Sequence, residues 1–179
     1  FDLSRLAKVM SPPEFLDPDA VYSEFSNAHN IVINEETGFA YAVGTNTFGG
    51  GPHFINIQNP TSPSAAGGFA ADGYSHDAQA VIYNGPDQTY VGQEIYFGSN
   101  ETIISILDVS DKNNPDPISN ILYSNTGYTH QGWLTEDHRY FVLGDELDEL
   151  NTGTLTRTLV FDVSDLDNPV LHFEYLGPT

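Results

Sequence analysis

A short segment that recurs along the chain limits the possible folds more than any other sequence feature. Its two strong and two weak copies are LDVSDKNNP (107–115), FDVSDLDNP (161–169), FDLSRL (1–6) and INIQNP (55–60). The second residue of each copy is, in chain order, Asp2, Asn56, Asp108 and Asp162. These residues are 54, 52 and 54 positions apart. A period of about 50 residues is typical of proteins that repeat one supersecondary unit in a stack or a ring.

Between these copies, short segments of alternating apolar residues are separated by turn residues, which is the pattern of β-strands. Each of three units, at 29–73, 74–127 and 128–179, contains four such segments, and no segment has a sustained helical period. Four antiparallel strands in a repeat of this length are typical of a β-propeller blade. The sequence therefore predicts an all-β chain, a single β-propeller domain of about three four-stranded blades. Residues 1–28 are predicted to be the end of a preceding blade and a loop.

The number of blades leaves the closure of the ring open. Closed propellers typically have about 4–8 blades, so three blades and part of another make an incomplete ring. Either the chain is a fragment of a longer protein, or several copies close a ring together. We expect a fragment, because FDLSRL at 1–6 places the first residue inside a repeat. A β-sandwich or a stack of separate sheets is the alternative fold, although a sandwich would not need the repeat.

Local chemistry explains the recurring element itself. Proline cannot continue a strand ladder, and the Asn before it favours a turn. The Asp of each copy lies where its side chain can accept hydrogen bonds from the N–H groups of the turn. We therefore predict a structural role for this Asp. One further strand is expected in the N-terminal segment, near Val21–Phe25.

The charge balance narrows the range of partners. The chain has 25 Asp and Glu against 5 Lys and Arg, a net charge of −20. Such a surface repels phosphate backbones and anionic lipids, so no nucleic acid partner is expected. No apolar run approaches the roughly 20 residues of a membrane span, so no direct membrane insertion is expected. The chain has no cysteine, which excludes disulfides and thiolate metal sites.

Several long segments resemble one family of repeat proteins. They are AHNIVINEETGFAYAVGTNT, FINIQNPTSP, FAADGYSHDAQAVIYNGPD, ILDVSDKNNP and GYTHQGWLTEDHRYFVLGDELDE. These segments resemble the LVIVD-repeat β-propeller proteins, and most closely the group called choice-of-anchor B family proteins. The resemblance covers residues 1–149 and, more loosely, the rest of the chain. It implies a secreted or surface-anchored bacterial protein, often marine, with a propeller longer than this chain. It implies no particular reaction.

A recurring histidine is the first candidate for a binding site. His29, His76 and His130 each open the first strand of a unit, and the next residue is Asn30, Asp77 or Gln131. First strands line the central channel of a propeller, so the imidazoles and Asp77 could share a metal ion or an anionic ligand there. Alternatively, each His bonds the backbone of the neighbouring blade or an Asp and fixes the contact between blades.

An acidic segment is the second candidate. GDELDE at 144–149 places four carboxylates in six residues, those of Asp145, Glu146, Asp148 and Glu149. Dense carboxylates on a loop suit a hard cation such as Ca²⁺. The alternative is a solvated acidic loop, because the segment lacks the spacing of a calcium-binding EF-hand. No cofactor is firmly predicted, and Ca²⁺ or another divalent cation is the candidate.

Two further motifs are interpreted as structural. Ser75, His76 and Asp77 are neighbours in the chain, but neighbours in a strand point to opposite faces and cannot form a catalytic relay. Trp133, the one tryptophan of the chain, is predicted to lie in the core with the Tyr- and Phe-rich strands.

Three functions are consistent with these features. The first is a non-catalytic extracellular or cell-surface propeller, a binding or structural scaffold that divalent cations stabilise. The second is a metal-dependent enzyme with its site in a His-lined channel. The third is a subunit of a filament or ring that assembles through open blade edges, because unpaired strands invite partners. The expected partner is accordingly another protein or a further copy of the chain.

Overall fold

The computed structural model describes residues 1–177 and confirms an all-β chain, with three antiparallel sheets of four strands each. The first sheet contains β1 (Asn30–Asn34), β2 (Phe39–Val43), β3 (His53–Asn56) and β4 (Ser64–Gly68). The second contains β5 (Asp77–Ile82), β6 (Glu94–Asn100), β7 (Ile103–Asp108) and β8 (Asp116–Ile121). The third contains β9 (Thr129–Leu134), β10 (Tyr140–Asp145), β11 (Arg157–Asp162) and β12 (Val170–Leu176). In each sheet, strands that follow one another along the chain are also hydrogen-bonded neighbours.

The recurring Asp holds a turn, as predicted. In each copy of the repeated element the side-chain oxygen accepts a hydrogen bond of 2.8–3.0 Å from the backbone N–H two residues later. The acceptor and donor pairs are Asp2–Ser4, Asn56–Gln58, Asp108–Ser110 and Asp162–Ser164. The first copy differs in its backbone, because Leu3–Lys8 forms a 3-10 helix that Asp2 caps.

The N-terminal segment lies against the first sheet without joining it. The prediction of a strand near Val21–Phe25 is wrong, because residues 21–25 form no strand. Tyr22 and Phe25 instead pack beside the buried Ile55 of β3. The Tyr22 hydroxyl lies 2.6 Å from Nε2 of His53, whose pKa is lowered by burial. Side-chain packing therefore holds this segment, rather than a backbone ladder.

Two apolar layers join the three sheets. Tyr41 and Phe54 of the first sheet pack with Tyr96 of the second, and all three are fully buried. Phe97 of the second sheet stacks on Phe141 of the third, with ring centroids 5.3 Å apart and planes 16° apart. Full burial of such side chains stabilises the fold by about 1.5–3 kcal/mol each.

A buried carboxylate also connects the first two sheets. Glu94 begins β6, is 3% exposed and accepts hydrogen bonds from Asn34 at 2.8 Å and Tyr41 at 2.6 Å. Lys112 neutralises it at 2.7 Å. Burial, followed by the hydrogen bond to Glu94, raises the pKa of Tyr41 far above its usual value. The charge is thus both paired and hydrogen-bonded, as a buried charge must be.

The third sheet has one uncovered face. Across its four strands, directly paired residues on this face form an apolar row of Trp133, Val142, Val160 and Phe173. Trp133 is 61% exposed and Phe173 is 54% exposed. The prediction that Trp133 lies in the core is therefore wrong, because the second sheet covers only the opposite face, where Phe141 lies.

The first strands of the three sheets lie next to one another, β1 beside β5 and β5 beside β9. A single backbone bridge between Glu101 and Thr129 also links the end of β6 to the start of β9. The starts of the three units are thus gathered on one side of the molecule. No helix among residues 1–177 is long and apolar enough to cross a membrane.

A histidine column and a groove on the first strands

The three repeat-equivalent histidines form one continuous column. The ring centroids of His29 and His76 are 3.7 Å apart, and those of His76 and His130 are 4.7 Å apart. His29 and His76 immediately precede β1 and β5, and His130 is the second residue of β9. Each unit therefore contributes one imidazole at the start of its first strand, and the side-by-side strands bring the rings into tilted contact.

Backbone carbonyls determine the tautomers of two of these rings. Nδ1 of His29 lies 2.7 Å from the carbonyl oxygen of His76, and Nδ1 of His76 lies 3.2 Å from that of His130. A carbonyl oxygen only accepts, so each Nδ1 carries the proton and donates it. In the neutral ring, Nε2 then keeps its lone pair. These contacts bond His29 and His76 each to the next unit, one of the two roles that the sequence left open.

A β-bulge sets the position of His130. Gly144 pairs with Gln131, but the next residue of β10, Asp145, pairs with Thr129. His130 is therefore an extra residue in β9 with no partner opposite it in β10. Bulges re-aim side chains in this way and are common beside functional sites. Here Nε2 of His130 lies 3.9 Å from a carboxylate oxygen of Glu146, the first residue after β10.

His76, His130 and Glu146 form the group of the column that could hold a metal ion. One ligand atom from each of the three lies within 4.8 Å of the others. His76 is 9% exposed, whereas the side chains of His130 and Glu146 are 33% and 46% exposed. His29 does not belong to this group, although its ring packs against that of His76. The group is thus anchored at a buried end and open to solvent at the other.

Burial governs the electrostatics of the central ring. Desolvation is the main cause that lowers the pKa of His76. The backbone hydrogen bond to His130 raises this pKa, whereas the neighbouring His29 and His130 rings lower it. His76 is therefore neutral at pH 7, the form that binds metals. Tyr128 packs edge-on against His76 at 5.1 Å, and desolvation followed by the nearby charge of Glu101 raises its pKa to about 12. An uncharged Tyr128 ring thus covers one side of His76.

Asp77 takes part in a second contact between units. Its Oδ1 accepts hydrogen bonds from the Asn30 side chain at 2.8 Å and from the Ala78 backbone at 2.7 Å. Asn30 and Asp77, which directly follow His29 and His76, are therefore hydrogen-bonded to each other. Ser75, by contrast, donates to Asn100 at 2.6 Å, while Nδ1 of His76 donates to a backbone carbonyl. Ser75, His76 and Asp77 consequently form no catalytic relay with one another.

A groove of about 840 Å³ runs along the three first strands. Small residues, including Ala78 and Gly132, lie along it, and Ile31, Ile33 and Trp133 are its large exposed apolar side chains. Asp77 is the one charged residue among those that line it. The size and the mostly apolar lining match those of ligand sites, which typically enclose about 300–1,000 Å³.

The acidic segment 144–149 is divided between different contacts. Asp145 and Asp148 are buried and both face Arg157, at 3.3 Å and 2.8 Å. Asp145 also accepts backbone hydrogen bonds from the loop before β9. Glu149 accepts a hydrogen bond from Thr156, which lowers its pKa, and Glu146 faces His130. Two of the four carboxylates that were predicted to bind calcium are thus paired with an arginine.

A second carboxylate group, which was not predicted, lies between two turns. Ligand atoms of Asp87, Asp165 and Asp167 lie within 4.8 Å of one another. Asp87 accepts a backbone hydrogen bond from Leu166 at 3.0 Å, and Asp167 accepts one from the Tyr90 hydroxyl at 3.1 Å. Burial, then the bond to Asp167, raises the pKa of Tyr90 to about 12. The group thus joins turns of the second and third sheets, which no local sequence pattern could indicate.

Comparison with known proteins assigns no family or relative, since no family model matches the chain and no curated protein matches it.

Proposed function

We propose that this chain is part of an extracellular or cell-surface β-propeller that acts as a non-catalytic binding scaffold. Three repeated four-stranded sheets with adjacent first strands support this architecture. The resemblance of the sequence to the LVIVD-repeat propellers supports the location. Propellers present binding surfaces on rigid sheets, and the same architecture serves many ligands.

The groove on the first strands is the observation that carries the proposal. It draws on all three repeated units, so its shape depends on the whole arrangement and not on one loop. Its exposed Ile31, Ile33 and Trp133 offer apolar contact, and the polar side chains of Asn30, Asp77 and Gln131 provide hydrogen bonds at the strand starts. A few polar groups in a mostly apolar concave surface are typical of a binding site.

Site-specific photo-crosslinking tests the scaffold function. A photoreactive phenylalanine analogue replaces Trp133 in the groove or, as control, Leu150, which is 79% exposed on the short helix α1 (Asp148–Asn151). In the natural protein on intact cells, we expect a discrete crosslinked species from position 133 and not from 150. Crosslinks of equal yield from both positions, or from neither, would contradict the proposal. Digestion of the protein by protease added to intact cells tests the surface location.

Self-association is the second candidate function, because β12 is an exposed edge. All seven of its residues are exposed, including Val170, Phe173 and Tyr175. Its outer backbone groups and apolar side chains together could pair with a strand of another copy. Light scattering during size-exclusion chromatography should then show an oligomer that Phe173→Lys disperses. A monomer at all concentrations would remove this candidate.

A metal-dependent enzyme is the third candidate, favoured by the nearness of His76, His130 and Glu146. Three protein ligands that leave one coordination position open are the arrangement of catalytic zinc sites. Hydrolysis of chromogenic esters by the zinc-loaded protein, lost in Glu146→Gln, would support an enzyme. Full metal binding without any such hydrolysis would favour the scaffold.

A further inference from the structure

We propose that His76, His130 and Glu146 bind one first-row transition-metal ion, such as Zn²⁺, at the contact between the second and third sheets. His76 precedes β5 of the second sheet, whereas His130 lies in β9 of the third sheet and Glu146 directly follows β10. The bound ion would therefore cross-link two repeat units. The site depends on this local geometry alone and not on the groove's binding a partner.

The donor set decides the kind of metal. Two imidazoles and one carboxylate suit Zn²⁺, Ni²⁺, Co²⁺ and Cu²⁺, whereas Ca²⁺ prefers six to eight oxygen ligands. Nδ1 of His76 donates its proton to the carbonyl oxygen of His130, so Nε2 is the ring nitrogen that can bind a metal. The net charge of −20 further raises the local concentration of cations.

The contacts around the ligands resemble those of an established metal site. Metal-binding histidines usually donate the second ring N–H to a carbonyl or carboxylate, which orients the ring. His76 does so, because its Nδ1 donates to the carbonyl oxygen of His130. The His29 ring packs against the His76 ring, with centroids 3.7 Å apart, and limits its rotation. His29 is thus a positioning residue and not a ligand.

The distances require a small adjustment on metal binding. Two nitrogen ligands of one Zn²⁺ are at most about 4.2 Å apart, twice the Zn–N distance of about 2.1 Å. The present ligand atoms lie within 4.8 Å of one another. The Glu146 side chain is 46% exposed, so it can rotate to bring its carboxylate to an ion bound by the two imidazoles.

Calorimetric titration of the untagged protein, first freed of metal with a chelator, tests the site. We expect one equivalent of Zn²⁺ to bind and Ca²⁺ to give no competing heat. Glu146→Gln should weaken Zn²⁺ affinity by at least about tenfold, since a direct ligand matters no less than a second-shell partner. Glu149→Gln makes the same change three residues away, on a side chain bonded to Thr156, and should bind like the wild type.

Two further results would overturn the proposal. One is equal Zn²⁺ affinity in the wild type, Glu146→Gln and Glu149→Gln, and the other is displacement of Zn²⁺ by Ca²⁺. Imidazole ¹⁵N resonances provide an independent measurement in the wild type. On adding Zn²⁺, Nε2 of His76 and His130 should shift while that of His29 does not. A shift of His29 without one of His130 would place the metal elsewhere. Unchanged circular dichroism without metal would show that Glu146→Gln folds.

Discussion

Arg157 is the residue on which the acidic segment depends most. It is 3% exposed and contacts the buried carboxylates of Asp148 at 2.8 Å and Asp145 at 3.3 Å. Arg157→Met keeps much of the side-chain volume but leaves both carboxylates without a cation. Removing one partner of a buried ion pair costs about 3–5 kcal/mol. We expect a loss of this size in the free energy of unfolding, measured by urea denaturation.

The control for this substitution is the exposed pair of Arg5 and Asp19. Their side chains are 31% and 25% exposed, although the charged atoms lie only 2.6 Å apart. Solvent screens ion pairs at the surface, so Arg5→Met should have little effect on stability. Equal losses in Arg5→Met and Arg157→Met would show that burial of the cluster is not the cause.

The turn carboxylate of Asp162 gives stability a specific pH dependence. Hydrogen bonds from the hydroxyl and backbone N–H of Ser164 lower its pKa. A lowered pKa in the folded protein stabilises the fold at pH values above the unfolded value of about 3.9. That contribution is lost as the pH falls through the folded pKa, because protonation removes the charge that these bonds favour.

Comparison with Asp162→Asn isolates this contribution from the charge of the whole chain. Asn still offers an oxygen to the turn, as Asn56 does at the equivalent position, but it does not titrate. We therefore expect the stability difference between the wild type and Asp162→Asn to shrink between about pH 5 and about pH 2. Urea midpoints across this range measure it. A constant or growing difference would contradict the assignment.

At the level of the strands, the packing of the third sheet leaves no space for a side chain at Gly132 of β9. A Cβ there would contact the ring of Phe141, and the Val142 carbonyl oxygen at 3.1 Å. Gly144 of β10 also lines the groove, but a Cβ there would meet only the Gln131 carbonyl oxygen at 3.9 Å. Gly132→Ala should therefore destabilise the protein by about 1–3 kcal/mol through overpacking.

Gly144→Ala is the matched control, since it adds the same methyl group to the neighbouring strand. Substitutions without a clash usually change stability by less than about 0.5 kcal/mol. Thermal unfolding of the two variants should separate them clearly. Similar melting temperatures would mean that the contact between β9 and β10 is looser than its geometry indicates.

The strands themselves could be predicted closely from the sequence. Each of the three predicted units does contain four strands, because apolar alternation and turn residues are local signals. Residues 21–25 differ, since the aromatic Tyr22 and Phe25 pack on the first sheet without pairing to it. Whether an apolar segment joins a ladder depends on a free edge elsewhere in the molecule, and no local pattern contains that information.

The candidate site could be predicted only in part. The recurring His29, His76 and His130 indicated a shared position, and they do form one column. The nearness of Glu146 to His130 could not be predicted, because it depends on a bulge that shifts the pairing by one residue. Likewise, the charges of the acidic segment were visible, but their pairing with Arg157 on β11 is a contact between separate strands.

The whole molecule carries its negative charge almost without compensation at the surface. Two of its five cationic side chains, Lys112 and Arg157, are already paired with buried carboxylates. Self-repulsion among the remaining acidic groups destabilises a compact chain, and salt screens it. Raising NaCl from about 10 mM to about 150 mM shortens the Debye length from about 30 Å to about 8 Å. We expect the melting temperature to rise, and to rise equally when KCl replaces NaCl. A fall in the melting temperature would contradict this explanation.

Repetition is the property of the whole molecule on which the proposed function rests. Each unit is a complete four-stranded sheet, and its first strand lies beside that of the next unit. This places equivalent residues of successive units in contact, as for Asn30 with Asp77. A β-sandwich pairs sheets face to face and would not stack equivalent residues in this way.

Proton–proton contacts among the histidine rings test this arrangement most directly. In metal-free protein with isotope-labelled histidine, a chelator present, nuclear Overhauser spectra should connect His29 with His76 and His76 with His130. The centroid separations of 3.7 Å and 4.7 Å require both sets of cross-peaks. Each substitution to Gln should remove only the cross-peaks of the ring it replaces. If the rings show no contacts with one another, the units do not share an axis, and the account of a propeller scaffold fails.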